Sequence, residues 1–143
     1  MNMIKRSFIP VNIPLLDGNE KTYLNECIDT GWISSEGPFV KEFEEKLAIR
    51  VERTNAIAVT SGTAALDIAI EALGISSGDE VILPTFTIIS CIGQIIRSGA
   101  TPILVDSDPL TWNMDFKQIK SKITKNTKAI MVVHIFGLPV NID

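Results

Sequence analysis

Between residues 55 and 133, short apolar runs alternate with stretches of helical length, the first two of them apolar and the third amphipathic. The runs at 55–60, 80–83, 102–105 and 128–133 have the length of strands. The stretches at 62–73, 88–98 and 115–123 have the length of helices, and Gly74, Pro84 and Gly99 punctuate the series. Four strands alternating with three helices predict βαβ units and a mostly parallel sheet. Strands that are apolar throughout, rather than at every second position, imply helices on both faces of that sheet. The expected fold class is therefore α/β.

Upstream of residue 55 the pattern is helical. Asp17 reads as an N-cap with Glu20 as its capping-box partner. Tyr23, Leu24, Cys27 and Ile28 follow at helical spacing, and Gly31 stops the helix. After the loop 32–37, Pro38 suits a first turn, and Val40, Phe43, Leu47 and Val51 form one stripe. Residues 1–14 read as irregular. They lack the apolar core and cleavage site of a signal peptide, and no run is long enough to cross a membrane. A net charge of −4 with no Lys/Arg cluster argues against nucleic acid. The two cysteines, Cys27 and Cys91, lie far apart in apolar helical patterns. They are expected to be small core side chains in a reducing cytoplasm, with no metal site. Residues 141–143 look like a helix start with no helix after it, so truncation after the fourth strand is expected.

The segment Thr60-Ser61-Gly62-Thr63-Ala64-Ala65-Leu66 joins a predicted strand to a predicted helix. Free N–H groups and the positive end of the helix dipole meet at such a junction, which suits an anion. Gly62 allows close approach, Ser61 and Thr63 add hydroxyls, and Ala64 and Ala65 keep the turn uncrowded. The same residues fit a plain strand–helix turn capped by Thr63. Neither a dinucleotide-binding glycine fingerprint nor a P-loop is present. His134 lies at the C-terminal end of the fourth predicted strand, where open α/β sheets bind ligands, though a lone histidine there is more often structural. Asp106 and Asp108 read as a turn and cap pair.

Five segments, in order, resemble the DegT/StrS sugar aminotransferases. They are Thr30-Gly31-Trp32-Ile33-Ser34-Ser35-Glu36-Gly37-Pro38, Val59 through Leu66, Gly78 through Thr87, Gly99 through Pro109, and Thr127 through Gly137. Pro84-Thr85-Phe86-Thr87-Ile88-Ile89-Ser90 and Thr111-Trp112-Asn113-Met114-Asp115 are most similar to perosamine-synthase-like members.

The resemblance implies a pyridoxal-phosphate (PLP) transferase of fold type I. Residues 1–143 would be the N-terminal part of its large domain, with the rest of that domain and the small domain absent. It implies that Ser61, Gly62, Thr63 and Ala64 hold the cofactor phosphate. Ile88 stands where many members place an aromatic ring over the pyridine face, so stacking there gives way to dispersion. Trp32, Ser34 and Ser35 would lie near the sugar nucleotide. Alternatively, Trp32 packs at a dimer interface and the serines cap the next helix. His134 is a further substrate-side candidate. The family works as homodimers, and the reaction implied is amino transfer, with glutamate as expected donor, to a keto-deoxysugar nucleotide. The Schiff-base lysine and the acidic partner of the pyridinium come later in family members, so no catalytic residue is expected here. The chain alone is expected to be inactive. The alternatives are a non-catalytic PLP- or phosphate-binding or dimerisation module, and an unrelated α/β interaction domain.

Overall fold

The computed structural model describes residues 8–142. They form two compact units that divide between Ala58 and Val59. In the first, α1 spans Glu20–Thr30 and α2 spans Pro38–Arg50. The rings of Tyr23 and Phe39 lie 5.1 Å apart, tying one helix to the other. Gly31 closes α1 in the left-handed conformation, as its sequence position predicts. The capping box at Asp17 does not form. Asn19 is the N-cap, and the Glu20 carboxylate folds back to accept from the Gly18 N–H at 3.0 Å.

In the second unit α3 (Gly62–Ala72) leads to β1 (Glu80–Pro84), α4 (Ile89–Arg97), β2 (Thr101–Val105), α5 (Phe116–Lys122) and β3 (Thr127–Ile130). A short 3-10 turn, Ile135–Gly137, follows. The strands are parallel, in the order β2-β1-β3. Val81 and Leu83 face α3 and α4, where they pack with Ile70, Cys91 and Ile95. Ile82 faces the other way and packs with Val105, Met114 and Ile119 of α5. Helices thus cover both faces, as the unbroken apolar strands predict.

The run 55–60 is the exception: it forms no strand. Ile57 is 74% exposed. The segment is held instead by its Ala58 N–H, which donates to Glu44 at 2.7 Å. Apolar character favours burial but does not by itself supply a ladder partner. The fourth predicted strand also shortens. β3 ends at Ile130, although the Met131 N–H still donates to the Ile82 carbonyl at 2.8 Å. Between its pairings with Glu80 and Val81, β3 shifts register. Residues 141 and 142 form no helix, and residue 143 lies outside the described residues.

Asp108 does act as a turn acceptor. Its carboxylate takes the N–H groups of Leu110 and Thr111, both at 2.9 Å, and the Thr111 hydroxyl. Asp106 contributes no such cap; its carbonyl accepts from the Asp115 N–H. The backbone bonds from Thr111 and Leu110 hold the Asp108 carboxyl below the usual carboxylate range.

Two outcomes are expected. Ile82→Ala empties a fully buried site and should cost about 2–5 kcal/mol in denaturant unfolding, whereas Ile57→Ala should change stability by less than about 0.5 kcal/mol. Because Asp108 has a depressed pKa, its turn should persist above the ordinary carboxylate range and loosen as pH falls through the lowered value. The amide shifts of Leu110 and Thr111, followed by NMR across an acid titration, check this.

Candidate anion site and its surroundings

The helix α3 begins at an exposed turn. Ser61 has an extended backbone, and its Oγ accepts from the Ala64 N–H at 3.2 Å, so Ser61 rather than Thr63 is the N-cap. Among the described residues, the N–H groups of Gly62 and Thr63 and the Thr63 hydroxyl have no hydrogen-bond partner. A Cβ on Gly62 would meet no atom within 4 Å. Packing of the chain itself therefore does not demand glycine there, and the outer face of the turn is clear. Two unused N–H groups at the positive end of an eleven-residue helix, flanked by two hydroxyls, form an anion-accepting surface. Ala64 is half-buried beneath it.

The neighbouring helix α4 packs beside α3. Ile88 is its N-cap, in extended conformation, with its side chain 68% exposed. The buried face of α4 is Cys91, Gln94 and Ile95. Gln94 is the polar member, and its Nε2 donates to the Thr63 carbonyl at 3.3 Å. Sequence reading passed over it. The available signal was a single amide on the inward stripe of an otherwise apolar helix.

His134 follows β3 and is exposed. Its Nδ1 accepts from the Val140 N–H at 3.0 Å, so a neutral imidazole carries its proton on Nε2. The loop beside it is clamped by Asn113, which is 5% exposed. The Asn113 Oδ1 accepts from the Ile135 N–H at 3.0 Å, and its Nδ2 donates to the Leu138 carbonyl at 3.2 Å. Trp112 and Phe136, both in left-handed backbone, place their rings 5.4 and 6.4 Å from that of Phe86. These rings line an apolar cavity of about 470 Å³ at the carboxyl ends of the strands.

In the first unit, Trp32 is half-exposed and lines a cavity with Leu24, Cys27, Pro38 and Phe39. Ser34 and Ser35 are exposed, and they do not cap α2, whose N-cap Gly37 has no side-chain bond. The structure thus brings Ser61, Gly62, Thr63 and Ala64 together on one turn and sets the α4 helix that carries Ile88 beside it. His134 sits on a separate loop.

Comparison with known proteins gives the family. The chain is 51% identical over 136 residues to the GDP-perosamine synthase of Escherichia coli O157:H7, covering 95% of this chain and 37% of that protein. It is 45% identical over 135 residues to the GDP-perosamine synthase of Vibrio cholerae, covering 94% and 37%. NtdA from Bacillus subtilis, solved with bound cofactor PMP, superposes with a TM-score of 0.77 at 36% identity, over 85% of this chain and 28% of that one. The chain thus spans little more than a third of the length of the curated relatives it matches. The model of the DegT/DnrJ/EryC1/StrS aminotransferase family matches residues 14–143, and the chain belongs to that family.

Proposed function

We propose that this chain forms the phosphate-binding part of the large domain of a PLP-dependent aminotransferase that acts on a nucleotide-linked keto-deoxysugar. The observation that carries the reading is the pair of unused N–H groups at Gly62 and Thr63, on a turn within the span that the family model matches. The residues fit a phosphate monoester. Gly62 and Thr63 would donate backbone N–H groups, and the hydroxyls of Ser61 and Thr63 would add donors. The Ser61 oxygen accepts from Ala64 and leaves its own proton free to donate. Ala64 would floor the site, and Ile88 would cover one face of the pyridine ring by dispersion. When bound, PLP supplies the electron sink for moving an amino group.

Trp32, Ser34, Ser35 and the Nε2–H of His134 are the proposed contacts to the sugar nucleotide. Glutamate is the proposed amino donor, a homodimer the proposed assembly and the cytoplasm the proposed location. Among the described residues no helix is long and apolar enough to cross a membrane.

A second reading, cofactor binding without transfer, has its own support. Lys117, Lys120 and Lys122 belong to α5, which packs on the opposite face of the sheet from α3 and α4. None of these three lysines thus places an amine beside the turn.

Pyridoxamine 5′-phosphate (PMP) is the suitable probe, because it cannot condense with surface lysines. Thr63→Val keeps the side-chain shape and removes the hydroxyl. It should weaken PMP binding about ten- to a hundredfold, the worth of one charge-assisted hydrogen bond; an unchanged Kd by calorimetry would leave Thr63 a helix residue only. The 143 residues incubated with PLP, glutamate and a nucleotide-linked keto-deoxysugar should give no amino sugar by mass spectrometry. Product well above a protein-free blank would place a catalytic group within the chain.

A further inference from the structure

The peptide unit between Thr63 and Ala64 is pinned at both ends. Its N–H is taken by the Ser61 Oγ at 3.2 Å, and its carbonyl by the Gln94 Nε2 at 3.3 Å. The first bond is an ordinary N-cap made within the turn. The second reaches across thirty-one residues from another helix. Gln94 is 4% exposed and lies between Cys91 and Ile95, on the face of α4 that builds the core. An aliphatic side chain would pack there without desolvating an amide. A buried amide is tolerated only when it finds a partner, and the Thr63 carbonyl is the partner it finds.

The pinned unit directly follows the two peptide units whose N–H groups are unused. Fixing its plane limits how the Gly62 and Thr63 N–H vectors can swing. Pre-set donors bind an anion more tightly than mobile ones, because less order has to be imposed on binding. The same helix carries Ile88 at its start, so Gln94 also ties the anion turn to the proposed ring-covering residue.

We propose that Gln94 is a positioning residue for the phosphate cup, holding the first turn of α3 so that Gly62 and Thr63 present their N–H groups in one orientation. The inference rests on the phosphate reading above and extends it to a residue outside the turn.

The test is titration of the 143-residue chain with PMP and with pyridoxamine, which has the same ring and lacks the phosphate. Gln94→Met keeps length and volume while removing the donor. It should weaken PMP binding about two- to tenfold, the range of one neutral hydrogen bond, and leave pyridoxamine binding unchanged. An equal weakening of both ligands, or unchanged PMP affinity with a lowered Tm, would make Gln94 a packing residue and overturn the proposal. If Gln94→Met does not fold, the unsubstituted chain gives a second measurement. Its Gln94 side-chain amide resonances should shift with PMP and not with pyridoxamine; resonances that stay still would also overturn it. Equal affinity of the unsubstituted chain for the two ligands would remove the phosphate cup itself, and the role of Gln94 with it. A cup that survives this comparison but is indifferent to Gln94 sinks only the positioning role.

Discussion

Everything in the second unit hangs on β1 being enclosed in all four lateral directions. Its hydrogen-bonding edges are taken by β2 and β3, and its two faces by α3 with α4 and by α5. Val81, Ile82 and Leu83 are 1% exposed or less. A strand so enclosed has no polar side to offer water, which is why Val81, Ile82 and Leu83 follow one another as an apolar run. It also fixes where the chemistry can be. Parallel strands end together, so the turns that follow β1, β2 and β3 gather at one rim, while α3 and α4 lie against the same core.

Most of the second unit was legible in sequence. β1, β2, α4 and α5 lie within a residue or two of the positions expected from apolar runs and from Pro84 and Gly99. The run 55–60 was misread because hydrophobicity reports a wish for burial and not a pairing, and Ile57 stays 74% exposed. The capping box at Asp17 was misread for a related reason. Glu20 has more than one backbone N–H in reach, and it took that of Gly18. For the site, the turn 61–64 was legible from glycine and hydroxyl chemistry, while the choice of Ser61 over Thr63 as cap depends on a backbone angle that no spacing rule supplies. Gln94 depends on a contact made thirty-one residues away, which periodicity within α4 cannot foresee.

At the rim, two aromatic residues adopt a backbone that L-residues seldom use. Trp112 has φ 61° and Phe136 has φ 49°. Each such residue costs about 1–3 kcal/mol unless its surroundings impose it. Here the imposing contacts are visible. The Trp112 N–H donates to the Asp108 carbonyl at 2.8 Å, and the Asp108 N–H donates back to the Asn113 carbonyl at 2.8 Å. Asn113 then reaches across to grip both sides of the turn at Phe136. Loops that follow different strands are thereby made into one stiff surface, and two rings are held against Phe86.

The register shift in β3 bears on how the chain can vary in length. Thr127 pairs with Glu80 and Ala129 with Val81, so Lys128 is a supernumerary residue, exposed and outside the pairing. Side chains alternate along a strand, so an extra or missing residue normally turns every later one over. Losing Lys128 would instead bring Thr127 and Ala129 into continuous pairing, with Ala129 and Met131 still turned toward the α3 and α4 side. Losing a residue inside β1 would turn Val81 and Leu83 outward and carry Ile82 into their place. Insertions and deletions among relatives should therefore collect at the start of β3 and be absent from β1, so that the bulge works as the fold's expansion joint.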